Sequence, residues 1–121
     1  METKTLNTII HLAMNKSKNE RLAREKTHLR HVPTPAVLAA QTKLKKALDR
    51  LSDDTFFELY LYSTLGRDNH HPDRAQETFD HLKKKAAVNF DRREKTLILL
   101  NRPYLDEDLE KAKQLIKRNA H

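Results

Sequence analysis

The 121-residue sequence contains no cysteine and no tryptophan, one glycine and four prolines. Without cysteine there is no disulfide framework and no thiolate for catalysis or metal binding. Its apolar runs, such as Leu-Ile-Leu-Leu at 97–100, are far too short to span a bilayer. Residues 1–20 lack the basic start, long apolar stretch and small-residue cleavage site of a secretory signal. We therefore expect a cytoplasmic protein with no membrane partner.

Signals for β-strands are also missing. No segment alternates apolar and polar residues between Asn-Gly or Asp-Gly turns, the usual signature of hairpins. Apolar residues recur instead at the three- and four-residue spacing of amphipathic helices. Since the length predicts one domain, the expected fold is all-α, a compact bundle of five or six helices.

Capping residues predict where two of the helices begin. Thr34 and Pro35 form an N-cap and first-turn pair, so a helix is expected at about 35–51. Ser52 caps the next helix, at about 53–65, whose apolar residues make it the expected centre of the core.

Weaker signals mark the remaining helices. Asn-Lys-Ser-Lys-Asn at 15–19 favours local side-chain hydrogen bonds, which predicts a break before a second helical stretch at about 19–30. A long helix is expected at about 72–100 and a last one at about 106–118. The residues expected to share the buried stripe of the long helix are Phe79, Leu82, Ala86, Leu97 and Leu100.

The single glycine, Gly66, follows the apolar helix and is expected to end it in the left-handed C′ position. Arg67 is expected to cap the last carbonyls or to form an ion pair within the fold; its alternative role is to anchor a carboxylate or phosphate. Pro103 closes the long helix. We therefore predict structural roles for Gly66, Arg67 and Pro103.

The segments LDRLSDDTFFELYLYSTLGRD and LILLNRPYLDEDLE carry a resemblance to a known family. Across about residues 44–115 the chain resembles the bacterial family called domain of unknown function 3775. Gly66, Arg67, Pro103 and Leu105 occupy that family's Leu-Gly-Arg and Pro-x-Leu positions, whereas Asp68 stands where it often has a second glycine. The tryptophan that the family often has early in its long helix is absent. The resemblance implies a helical bacterial domain and no assigned activity.

A histidine-rich segment is the best candidate for a metal site. Its potential ligands are His70, His71 and His81, with Asp68, Asp73 and Asp80 nearby. Zinc needs three or four ligands that converge, whereas His81 would lie roughly 14 Å beyond Pro72 along a helix. We therefore expect solvated side chains and no metal.

No motif for nucleophilic catalysis surrounds Ser17, Ser52 or Ser63. The paired acids at 53–54 and 106–108 lie at helix N-termini, where acids are common without a catalytic role. We therefore expect neither an enzyme nor a cofactor. Of the aromatic residues in the apolar helix, Phe56 and Phe57 are predicted core residues. Tyr60 and Tyr62 are left open between core packing and a stacking platform for nucleic-acid bases.

Positive charge is concentrated in the first half of the chain. Residues 1–52 contain 11 Lys and Arg against 4 Asp and Glu, whereas residues 53–121 contain 13 of each, so the first half carries the whole net charge of +7. We expect a basic helical segment at 1–31, joined by a proline-containing linker to a helical core at 35–118.

Two helices of this basic region each carry cations along one side at helical spacing. The candidate nucleic-acid-binding residues, within the basic faces at 16–50, are Arg21, Arg24, His28, Lys43, Lys46 and Arg50. The 53–65 helix carries acids and no lysine or arginine before Arg67, so it is not expected to enter a DNA groove.

These faces predict a non-enzymatic module that binds the backbone of DNA or RNA without reading sequence. The alternative is a protein-interaction or self-association domain whose basic face meets an acidic protein surface. A homo-oligomer is compatible with either function.

Overall fold

A computed structural model of the chain describes residues 1–27, 34–67 and 75–118. Within these ranges the chain forms six α-helices and no strand, which confirms the predicted all-α bundle. The helices are α1 (Thr3–Thr27), α2 (Pro35–Asp49), α3 (Asp53–Arg67), α4 (Ala75–Ala86), α5 (Arg92–Asn101) and α6 (Leu105–Arg118). None of the helices in these ranges combines the length and the apolar character that a membrane span requires.

Helix α3 lies at the centre of the molecule, as its apolar sequence predicts. Phe56 and Leu59 are fully buried in a core that α1, α2, α5 and α6 complete. Farther along α3, Leu65 forms a smaller cluster with residues of α6, and Phe79 and Leu82 of α4 pack against it. α4 therefore covers one end of α3, while the main core surrounds the other.

The predicted break at 15–19 is wrong, because α1 runs without interruption through this segment. Its polar side chains find partners on the helix itself. The Asn19 side-chain amide donates to the carbonyl of Asn15 at 2.9 Å, and Lys16, largely buried, pairs with Glu20 one turn on. The asparagine hydrogen bond is thus made along the helix and does not compete with it, and the Lys16–Glu20 pair supports the same turns.

The capping predictions for α2 and α3 are confirmed. The Thr34 hydroxyl accepts a hydrogen bond from the Val37 amide at 3.2 Å, with Pro35 at the first helical position. The Ser52 hydroxyl accepts from the Thr55 amide at 3.2 Å. Both caps satisfy amides that would otherwise lack a partner at a helix start.

The predicted single helix at 72–100 is wrong, because a turn divides it into α4 and α5. Asn89 adopts a φ of 60°, a left-handed conformation that asparagine tolerates better than most residues. Asp91 then caps α5 by accepting from the amides of Arg93 and Glu94. Of the predicted stripe residues in α5, Leu97 is 57% exposed rather than buried, whereas Leu100 is buried as predicted.

The first turn of α5 is tied to the end of α2 by Arg92. Its guanidinium donates to the carbonyls of Leu48 at 2.9 Å and Leu51 at 2.7 Å, and to the Asp53 carboxylate at 2.7 Å. The same group lies 4.7 Å from the centre of the Phe56 ring. The Leu48 carbonyl also accepts from the Leu51 amide at 3.2 Å, so Arg92 adds charged donors at a helix end where carbonyls are short of partners.

Candidate nucleic-acid interface

The α2 face, defined as Lys43, Lys46 and Arg50, lies on the exposed side of α2. Its orientation is fixed because Leu44 and Leu48 on the opposite side are fully buried. None of the three cations forms an ion pair within the described ranges; the neighbouring Lys45 pairs with Asp49 at 2.7 Å. The three side chains are therefore available to an anionic partner.

Of the other predicted binding residues, the structure describes Arg21 and Arg24, and both lie away from the α2 face. Both are exposed. They follow Ala13, the last apolar residue of α1 in the main core, and Arg21 is about 12 Å beyond it along the helix. His28, the sixth predicted residue, lies outside the described residues. The structure thus separates the arginine pair from the α2 face.

The arginine pair, Arg21 and Arg24, lines a cleft of about 280 Å³ beside the start of α6. We call this the tyrosine cleft. Its lining residues are Ser17, Arg21, Arg24, Pro103, Tyr104, Asp106 and Glu107. It brings together the predicted cations of α1 and a turn about eighty residues later in the chain, which helical spacing cannot reveal.

Ser17 joins the two sides of the tyrosine cleft. Its hydroxyl oxygen lies 3.2 Å from a carboxylate oxygen of Asp106 and 3.4 Å from the carbonyl of Pro103. Pro103, predicted as a helix terminator, indeed follows the end of α5 at Asn101. The contacts of Ser17 fix the turn after α5 against α1.

Tyr104 is the residue in this cleft that sequence reasoning missed. Its side chain is 63% exposed, whereas the tyrosines that were considered as a stacking platform pack inside the fold. Tyr60 contacts the ring of Phe90 at 5.6 Å, and Tyr62 contacts Phe79 at 5.5 Å. Burial, and secondarily the Glu58 carboxylate, raise the pKa of Tyr62. The local signal for Tyr104 is its position between a helix-ending proline and an N-terminal acidic cluster.

The left-handed position predicted for Gly66 is wrong. Gly66 lies within the last turn of α3, and its φ is not positive. A β-carbon added there would lie 2.6 Å from the carbonyl carbon of Asp108 and closer still to its oxygen. Glycine is therefore required because the backbones of α3 and α6 cross here, which is the other use of this residue.

Several polar side chains lie around this helix crossing. The Arg102 guanidinium donates to the buried Ser63 hydroxyl at 2.7 Å, and that hydroxyl donates to the Tyr60 carbonyl at 2.7 Å. Burial raises the pKa of Asp108, while the charges of Arg102 and Arg67 act in the opposite direction. Arg67 itself is exposed in the last turn of α3. These groups surround a helix crossing and contain no nucleophile paired with a base.

The described residues contain no group of three or more metal-ligating side chains. His81 is exposed on α4. His70, His71, Asp68 and Asp73 lie outside the described ranges, so the hypothesis of solvated histidines stays a prediction.

Comparisons with known proteins return nothing: no family model, no curated protein and no solved structure matches the chain. The resemblance to domain of unknown function 3775 therefore stays a prediction.

Proposed function

We propose that this protein binds the phosphate backbone of nucleic acids without sequence preference, and that the α2 face is its main contact. The observation that carries the proposal is the exposure of Lys43, Lys46 and Arg50 on one side of a helix, with no acid of the described ranges paired to them. Opposing charges within the fold would neutralise such a face, whereas unpaired cations attract a polyanion and release its counterions.

The geometry of the α2 face suits a phosphate backbone. Residues three and four apart on a helix have β-carbons about 5–6 Å apart. Lysine and arginine side chains are long enough to reach successive phosphates from such positions while their stems stay on the helix. Contacts of this kind set position and affinity but carry no sequence information.

The helix that follows α2 is not available for reading bases. Phe56 and Leu59 of α3 are fully buried, and its exposed first turn carries Asp53 and Asp54. A recognition helix would need an exposed side that enters the major groove next to negatively charged phosphates. Binding of duplex DNA should therefore be independent of sequence.

Fluorescence anisotropy with random-sequence duplex DNA and single strands, from about 50 to 200 mM salt, tests the proposal. The triple substitution Lys43→Gln, Lys46→Gln, Arg50→Gln should weaken binding at every sequence. Its matched control replaces three exposed lysines in the last turn of α4, Lys83→Gln, Lys84→Gln and Lys85→Gln. Absence of wild-type binding at low salt, or equal loss from both triple variants, would refute a site on α2.

A second candidate, self-association, is favoured by an apolar groove between α1 and α6. The groove measures about 580 Å³; Ile10 and Met14 line it, and its rim has a net negative charge from Asp106, Glu107 and Glu110 against Lys111, with Gln114 beside them. Met14 is 49% exposed there. The complementary partner is the α2 face of a second copy. Light scattering should then show a dimer or larger species that Met14→Glu dissociates, and a monomer at high concentration would exclude it.

A further inference from the structure

Tyr104 differs from every other aromatic residue in the described ranges, because its ring faces solvent. The other rings are buried or half-buried. Phe57 and Tyr60, for example, pack against Phe90 at 4.8 and 5.6 Å. An exposed aromatic surface with cations beside it is the arrangement by which proteins stack the bases of single strands.

The backbone that carries the Tyr104 ring is held on both sides. Before it, Arg102 donates to Ser63 of α3 at 2.7 Å, and Pro103 has a fixed φ. After it, Leu105 is 2% exposed in the main core. The Tyr104 carbonyl accepts from the Asp108 amide at 2.9 Å as the first turn of α6 forms. The ring is thus presented on a rigid turn, which lowers the entropy cost of binding.

The cations and the carboxylates of the tyrosine cleft suit different parts of a nucleotide. Arg21 and Arg24 are three residues apart on α1 and exposed. Asp106 and Glu107 line the same cleft from the start of α6. Carboxylates repel a phosphate placed within the cleft, but they accept hydrogen bonds from base amino groups such as that of cytosine. A ligand must therefore bring a base inward and keep its phosphates on the arginines.

We propose that the tyrosine cleft receives one base of a single-stranded nucleic acid. The base stacks on Tyr104, its amino group donates to Asp106 or Glu107, and Arg21 and Arg24 bind the flanking phosphates. This proposal rests on the proposed function and specifies its substrate, because the bases of a duplex are stacked and paired and are not free to enter. The carboxylates favour cytosine over thymine, which lacks the amino group.

The substitution Tyr104→Trp supplies a direct reporter, since the chain has no other tryptophan. An oligodeoxycytidylate of about 15 nucleotides covers one site of ordinary size and should quench the indole fluorescence on binding. An abasic strand of equal length carries the same phosphates, and a duplex carries paired bases; neither should quench it. Quenching of equal size by the abasic strand would show that no base enters the cleft and would overturn the proposal.

Affinity measurements on the tyrosine give an independent test. Tyr104→Ala should weaken binding of the same oligodeoxycytidylate about fivefold or more, because one stacked base is lost. Duplex binding should not change, and Tyr104→Phe should keep nearly full affinity. Leu97→Ala, which truncates another exposed side chain, is the matched control. Equal affinities of wild type and Tyr104→Ala for the single strand would refute the cleft as a base site.

The binding results distinguish a wrong cleft proposal from a wrong proposed function. If the α2 triple variant weakens both nucleic acids while Tyr104→Ala weakens neither, the function stands and the cleft proposal is wrong. If wild type binds neither nucleic acid at low salt, both are wrong. If a polyglutamate of equal charge displaces the oligodeoxycytidylate and quenches Tyr104→Trp equally, the cleft is an acidic-peptide site and the base proposal is again wrong.

Discussion

The two basic surfaces of this protein carry charge of the same sign in different surroundings. The α2 face is one side of a single helix, with three cations and no aromatic ring among them. The tyrosine cleft joins two helices and a turn, and combines two cations, two carboxylates and an exposed ring. We propose that the first attracts only a backbone and that the second distinguishes a base from a phosphate. On this proposal, the neighbours of the charges decide which part of a nucleic acid each surface binds.

Each surface is also held in place by a residue that belongs to neither. Arg92 fixes the end of α2, which carries the α2 face. Gly66 permits the close crossing of α3 and α6. The tyrosine cleft lies at the start of α6. Substitutions at these two positions test how strongly each surface is held in the fold.

The largest expected effect is that of Gly66→Ala. Alanine favours an open helix position by roughly 1 kcal/mol over glycine, so an uncrowded site would be stabilised. Here the new methyl meets the Asp108 backbone, which cannot move aside as a flexible side chain would. We expect a loss of about 3 kcal/mol or more in the free energy of unfolding, measured by urea denaturation. A gain in stability would show that the helices do not cross this closely.

Arg92→Ala should have the next largest effect. It removes charged hydrogen bonds to the carbonyls of Leu48 and Leu51, which we expect to cost about 2–3 kcal/mol of unfolding free energy. The ion pair to Asp53, whose side chain is 92% exposed, should contribute little of this. The neighbouring Arg93 is exposed, so Arg93→Ala should change stability by less than about 0.5 kcal/mol. Equal effects would mean that the guanidinium contacts do not hold α2.

Salt dependence compares the two surfaces directly. On duplex DNA, replacing the three cations of the α2 face by glutamine should make the negative slope of log K against log salt shallower by about 2.7. Arg21→Gln with Arg24→Gln should leave the duplex slope unchanged and make the single-strand slope shallower by about 1.4. A shallower duplex slope for the variant that lacks the arginine pair would show that the cleft also binds double strands.

The smallest expected effect is the pH dependence due to Asp108. Burial raises its pKa, and the opposing charges of Arg102 and Arg67 do not fully offset this. The folded protein therefore retains this proton to higher pH than the unfolded chain, and ionisation costs stability as pH rises from about 4. Asp108→Asn cannot ionise, so its stability relative to wild type should increase over that range in denaturation series. A relative decrease would mean that the two arginines lower the pKa of Asp108 instead.

Local patterns predict much of this fold. The all-α class follows from apolar spacing, and the starts of α2 and α3 follow from Thr34 and Ser52, because a cap and its helix are adjacent in sequence. The basic residues of α2 were predicted from helical spacing, which is also a local pattern, and the structure describes them as exposed.

Features that depend on distant contacts were not predicted. Gly66 had an adequate local explanation, and its real constraint is the backbone of Asp108, 42 residues later. The division of α4 from α5 was missed because the apolar spacing runs on across Asn89. Tyr104 was missed because exposure of a single tyrosine depends on what packs around it. For Gly66 and Tyr104 the deciding atoms belong to another part of the chain, whereas the turn at Asn89 is local and lacks a strong sequence signal.

The turn at Asn89 has a consequence for how the molecule assembles. A single left-handed residue and the Asp91 cap separate two helices whose sequence would also support one continuous rod. Straightening the turn would carry α5 and α6 away from their own α2 and α3, and they would find identical contacts on a second molecule. Short hinges between such elements are where domain swapping arises. We therefore expect the left-handed conformation of Asn89 to favour the packing of α5 on the α2 and α3 of its own chain.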